Sequence, residues 1–389
     1  MSRFVYADNA ATGRLSQRAY DAMLPYLREH YGNPSSVYKI GREARRAVDF
    51  AREQVAHAIG AVAGEIIFTG SGTEADNWAI RGVCDQHSAR GRHIISSAIE
   101  HHAVSHTLAD LEQRGVEVTY LPADKVGRVD PKDLESAIRP DTILFTIMFA
   151  NNEIGTIQPI AELAAIARKH SILFHTDAVQ AVGHVPIDVS AMNIDLLSLS
   201  AHKFNGPRGV GALYVRKGIM LPSYLTGGGQ ERGLRAGTEN VAGILGMAAA
   251  LEESVTHMDS TAKTIAGLRD KLIAGLLEIP RTRLTGCPSN RLPGVASFVF
   301  ECVEGEAMVL LLDNAGIAAS SGSACSSGSL DPSHVLLAIG LSHEVAHGSL
   351  RLSLGVENTE TDVDYILETL PGIIARLRAM SPLWEAADA

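Results

Sequence analysis

The feature that most constrains this chain is an alternation. Short runs rich in β-branched residues at 66–69, 93–97, 116–121, 142–149, 172–176 and 196–200 are separated by segments of helical period, among them 74–86, 104–114 and 160–170. Strands interleaved with helices of that length predict an α/β fold whose mainly parallel, doubly wound sheet is joined by right-handed crossovers. Sites in such sheets gather at the carboxyl ends of the strands. After about Ser260 the pattern changes to a polar helix, a Pro- and Arg-rich stretch at 280–293, and strand-like runs at 295–300 and 350–354. This predicts a smaller α+β domain, and 389 residues suffice for two cores.

Composition removes several function classes. At 46% hydrophobic and 20% charged, the chain lies far from the compositions that stay disordered. Its 34 Lys and Arg against 44 acids give a net charge of -10, so no basic field draws in nucleic acid. Cys84, Cys287, Cys302 and Cys325 form no CxxC pair, which argues for reduced thiols and against a thiolate metal site. The first residues lack the apolar core of a signal peptide, and no apolar run reaches membrane-spanning length. The expectation is a cytoplasmic protein with no membrane partner.

Three segments carry chemistry. Phe68-Thr69-Gly70-Ser71-Gly72-Thr73-Glu74-Ala75 runs a strand through small residues into a helix, aiming backbone N–H groups and the positive helix end at one point, as anion sites do. The same string meets a loose dinucleotide pattern, but no acid ends the next strand. Asp177 stands just past a buried strand, where a carboxylate needs a cation or serves as a helix cap. Lys203 follows an apolar strand through Ser200 and His202; a desolvated lysine there can hold an aldehyde as a Schiff base, whereas a solvated one is only a loop residue. Thr73, Asp177 and Lys203 taken together suggest pyridoxal phosphate, with the phosphate on the Gly72/Thr73 turn, the ring nitrogen on Asp177 and the aldehyde on Lys203.

Further motifs follow in order: Tyr6-Ala7-Asp8-Asn9-Ala10-Ala11-Thr12, Tyr31-Gly32-Asn33-Pro34-Ser35-Ser36, Glu100-His101-His102-Ala103-Val104 and Asn151-Asn152-Glu153-Ile154-Gly155. Then come Gly227-Gly228-Gly229-Gln230-Glu231, Arg235-Ala236-Gly237-Thr238, Ser321-Gly322-Ser323-Ala324-Cys325 and Arg351-Leu352-Ser353-Leu354-Gly355. With these, the chain resembles the cysteine desulfurases of the NifS/IscS type, in the class V branch of the fold-type I pyridoxal phosphate enzymes. The resemblance implies that His101 stacks on the cofactor ring and shares proton transfers, that Asn152 reaches ring and substrate, and that Gln180 bonds the phenolic oxygen. It implies that Ser200 and His202 join Thr73 at the phosphate and that Thr238 reaches it from a second subunit, which makes the protein a homodimer. Arg351 would clamp the substrate carboxylate, a task suited to its planar fork.

By the same resemblance, Cys325, within the Ser/Gly-rich run 320–329, takes sulfur from L-cysteine as a persulfide, leaving L-alanine. An acceptor such as an iron-sulfur scaffold protein would receive it. The implied division is 13–258 as the large cofactor-binding domain and 1–12 plus 259–389 as the small one carrying the Cys325 loop. Rival readings are a selenocysteine lyase or another class V aminotransferase, a dinucleotide oxidoreductase, and a cofactor-free scaffold. His343-Glu344-Val345-Ala346-His347 matches HExxH, but Gly348 follows at once and no third ligand is apparent, so no metal is expected.

Overall fold

The computed structural model describes residues 3–321 and 331–387. Strand β1 (Val5–Tyr6) precedes helices α1 (Gln17–Arg28) and α2 (Lys39–Ala58). A seven-stranded sheet follows, built from β2 (Ile66–Thr69), β3 (His93–Ser97), β4 (Glu117–Leu121), β5 (Thr142–Thr146), β6 (Leu173–Asp177), β7 (Leu196–Ser200) and β8 (Gly211–Val215), in the order β2-β8-β7-β6-β5-β3-β4. The pairs from β4 through β7 are parallel, and β8 runs antiparallel to both β7 and β2. Strands β2, β3, β5, β6 and β7 therefore end on one edge.

Helices α3 (Gly72–His87), α4 (His102–Glu112), α5 (Pro131–Ser136) and α6 (Ile160–Lys169) form the crossovers, and α7 (Val241–Thr256) packs on α1 and α2. Two apolar clusters cover the sheet. One holds Phe68, Phe145, Phe174 and Phe204, and the other holds Trp78, Ile80, Ile94 and Leu213.

Beyond α8 (Met258–Leu277), a three-stranded antiparallel sheet has β10 (Val295–Phe300) between β9 (Thr282–Thr285) and a strand near residue 350. Helix α9 (Gly305–Asn314) leads to β11 (Ile317–Ala318), which pairs in parallel with β1. Helices α10 (His334–Ala338) and α11 (His343–His347), strand β12 (Ser349–Ser353) and helices α12 (Glu360–Ala379) and α13 (Pro382–Ala387) complete this part. Its core joins Val5 and Ala7 to Leu272, Phe298, Phe300, Leu350 and Ile366, so the N-terminus packs with the C-terminal third. No helix among the described residues is long and apolar enough to cross a membrane.

Two local expectations need correction. The run 142–149 is a strand only to Thr146: Ile147 and Phe149 still donate to His175 and Asp177 carbonyls on the β6 side, but β3 ends at Ser97 and no longer pairs on the other side. The Pro- and Arg-rich stretch contains β9, whose Thr285 hydroxyl donates to Ser297 Oγ on β10.

Candidate active site

The shared strand edge carries Gly72, Thr73, His101, Asp177, Ser200, His202 and Lys203. At the end of β2, Ser71 caps α3 by accepting from Glu74 N–H, which leaves the N–H groups of Gly72 and Thr73 at the head of a 16-residue helix. Gly72 must be small: a Cβ there would lie 2.5 Å from Val179 Cγ2 and 3.3 Å from Ser200 Cβ. Gly70 N–H donates to Glu74, whose carboxylate also receives Arg235, so the turn is pinned from the 230–238 segment. Thr238 is exposed on that segment.

Asp177 closes β6 and is 6% exposed. Its Oδ1 accepts from Val179 N–H at 2.9 Å, and among the described residues it has no ion-pair partner. Burial raises its pKa, opposed by the fields of His101 and Lys203. The buried Asp76 carboxyl is raised as well, by burial and by the charge of Asp177. His175 lies 3.6 Å from Asp76, yet burial pushes it down to about 3, so this contact is not an ion pair.

The 3-10 turn after β7 carries His202 and Lys203. Lys203 Nζ donates to the carbonyls of Ala10 and Ala11 at 2.6 and 2.8 Å. Gln180 Nε2 donates to the same Ala10 oxygen. His202 Nδ1 is 3.1 Å from Thr12 Oγ1; burial, with Lys203 and Arg208, lowers its pKa to about 4, leaving it neutral. His101 caps α4, its Nδ1 accepting from Ala103 N–H at 3.1 Å. Burial lowers its pKa as well, against the opposing pull of Asp177.

Arg351 comes from β12. The residue is 4% exposed; its guanidinium donates to the Asn152 carbonyl at 2.8 Å and to Asp8 Oδ1 at 2.9 Å, while the buried Nε has no hydrogen-bond partner among the described residues. The geometry thus brings Gly72, Ser200 and Asp177 together at Val179, and joins Lys203 and Gln180 at Ala10 and Arg351 with Asn152. Cys325 lies outside the described residues. A cavity of about 440 Å³ opens beside Lys203 and Gln180, lined also by Asn9, His257 and Ser353.

Sequence reasoning missed Asp8, Glu153, Glu100 and the carbonyls of Ala10 and Ala11. Asp8 and Ala10 lie within a quoted motif, but nothing local says which distant groups they meet. The HExxH segment is a five-residue helix, and no group of three or more potential ligands among the described residues could hold a metal ion.

The residues fit pyridoxal phosphate. A buried carboxylate with no ion pair among the described residues suits a protonated ring nitrogen, the Gly72/Thr73 helix head suits a phosphate, and Lys203 suits the aldehyde. The chain belongs to the aminotransferase class-V family, whose model matches residues 5–366. It is 56% identical to a cysteine desulfurase IscS of Methanosarcina thermophila, over 98% of this chain and 95% of that one. Among solved structures, a NifS-like protein superposes with a TM-score of 0.91 at 40% identity, covering 96% of this chain and all of the other. A structure described as SspA in complex with cysteine matches with a TM-score of 0.81 at 36% identity, over 91% of this chain and 100% of that one.

Proposed function

We propose that this chain is a pyridoxal-phosphate-dependent cysteine desulfurase that converts L-cysteine to L-alanine, with Cys325 as the sulfur acceptor. The carrying observation is the convergence of Asp177, Lys203 and the α3 head on one sheet edge, with the buried Arg351 at Asn152 beside it. Bound there, pyridoxal phosphate supplies an aldehyde for amines and an electron sink for charge developing at the substrate α-carbon.

The chain's own groups do the rest. Asp177 fixes the ring nitrogen's proton, and the N–H groups of Gly72 and Thr73 with Ser200 and His202 hold the phosphate. Lys203 carries the aldehyde and moves a proton at the α-carbon. His101 is kept neutral by burial, and with Nδ1 accepting from Ala103 N–H its proton sits on Nε2, where it can be shared with a group nearby. Asn152 and Gln180 orient ring and substrate, and Arg351 holds the substrate carboxylate. The Cys325 thiolate attacks the substrate sulfur: the carbon–sulfur bond breaks as the sulfur–sulfur bond forms, and the released carbon is protonated to alanine.

The domain division at 13–258 against 1–12 plus 259–389 is supported by the separate core that Val5 and Ala7 share with the C-terminal third. A homodimer is supported by apolar side chains left bare on and after α1, with Tyr31 77% and Val37 84% exposed. Thr238 would then serve the second subunit's phosphate. A scaffold for iron-sulfur clusters is the proposed recipient. Cytoplasmic residence accords with the unpaired Cys84, Cys287 and Cys302.

The test is release of alanine and sulfide from L-cysteine with a thiol reductant, for the native chain beside Cys325→Ala. Equimolar products from the native chain, lost in a variant that still binds cofactor, are expected. Undiminished sulfide from the variant removes Cys325 from its role.

A further inference from the structure

Two adjacent side chains at the start of α10 reach the two loops that carry His101 and Asn152. Ser333 Oγ donates to Glu153 Oε2, and His334 Nε2 lies 2.9 Å from the Glu100 carbonyl oxygen. A carbonyl only accepts, so Nε2 carries the proton in this contact. Glu100 directly precedes His101 and Glu153 directly follows Asn152. The Ser333–Glu153 bond is sheltered, Ser333 being 4% exposed and Glu153 7%, and the His334–Glu100 bond is half-buried. Beneath them Val335, Leu336 and Ile339 pack with Ile99, Met148 and Ile154 in one small apolar cluster.

The His101 loop is thereby fixed at two points and the Asn152 loop at three. The His101 imidazole accepts from Ala103 N–H, while the peptide group entering His101 is held through its oxygen by His334. Asn151 Oδ1 accepts from the N–H groups of Glu153 and Ile154, and Arg351 holds the Asn152 carbonyl. The Ser333 bond then fixes the Glu153 side chain against α10. Without it, a buried carboxyl would be left short of a donor.

We infer that Ser333 and His334 are positioning residues, His334 setting the His101 imidazole and Ser333 setting Asn152. The catalytic consequence rests on the roles given above to those two residues. A displacement near 1 Å in a group that moves protons or orients substrate costs up to roughly a hundredfold in rate.

Four variants test this: His334→Leu, which keeps bulk without a donor; His334→Gln, which returns a donor at similar reach; Ser333→Ala; and Ser333→Thr, which keeps the hydroxyl. The first readout is NMR of the full chain without cofactor, following the His101 ring and the Asn152 side-chain amide. Steady-state kcat and KM on the loaded enzyme follow. His334→Leu is expected to move the His101 resonances and lower kcat about tenfold, with His334→Gln within about twofold of the native chain. Ser333→Ala is expected to move the Asn152 amide and raise KM several-fold, with Ser333→Thr close to native.

Stationary resonances in the folded variants overturn the inference. Moved His101 resonances with unchanged turnover uphold the positioning and overturn instead the catalytic role of His101. Should His334→Leu not fold, the Ser333 pair decides by the same criteria.

Discussion

The two sheets supply the site by opposite means. The seven-stranded sheet delivers its groups from the loops just past strand ends: Gly72 after β2, His101 after β3, Asp177 at the tip of β6, Lys203 after β7. The three-stranded sheet delivers Arg351 from the middle of β12, with both backbone neighbours paired and the guanidinium drawn inward to Asp8 and the Asn152 carbonyl. In the first case topology places the residue and local sequence displays it. In the second, placement depends on partners 343 and 199 residues away. Strand-end groups are thus tuned by what surrounds them, and a mid-strand group by the long-range bonds that hold it.

Four substitutions probe that contrast. Asp177→Asn removes the charge at the strand tip while keeping an acceptor for Val179 N–H; kcat is expected to fall by about a thousandfold with the fold intact, read by steady-state kinetics. Arg351→Lys keeps charge but loses the fork, and kcat/KM should drop roughly a hundredfold, chiefly through KM. An Arg351→Lys enzyme of native KM would show that the second sheet does not bind the carboxylate. Asp8→Asn leaves an acceptor for Arg351 but removes its counter-charge, so a several-fold rise in KM is expected. Equal losses in Asp8→Asn and Arg351→Lys would mean that Arg351 acts only when paired.

The smallest effect on turnover is expected at Glu100, where the readout is stability. Burial pushes this carboxyl up to about 8, although Ser97 Oγ and Met148 N–H donate to it. The unfolded chain ionises the group near its ordinary value of 4.5 and the folded chain resists until about pH 8. The stabilisation present below pH 4.5 is therefore lost as pH rises through that window. Glu100→Gln should flatten the loss by a few kcal/mol between pH 5 and pH 8.5, measured by urea unfolding. A parallel pH dependence in both proteins would remove Glu100 as its source.

The sequence displayed the first sheet well, because β2, β3 and β7 are short buried runs bounded by breaks, and the groups that follow them lie within a few residues. It did not display β8, whose Gly-Ala-Leu-Tyr-Val run is antiparallel and has no helix to announce it. Nor did it show β9, whose half-exposed Thr-Arg-Leu-Thr is held by pairing to β10. The bonds of Asp8 to Arg351, Ser333 to Glu153 and His334 to Glu100 have no local signature, since each joins segments 180 or more residues apart.

The Asp8–Arg351 bond also orders events during synthesis. A growing chain can complete the seven-stranded sheet once residue 215 has emerged, and with it most of the groups that fit the cofactor. Its N-terminal segment must then wait for β12 before Asp8 finds its cation and Val5 its core. A translation product that stops short of β12 therefore has most of the cofactor-fitting groups but neither Arg351 nor the strand that Val5 and Ala7 pack beside.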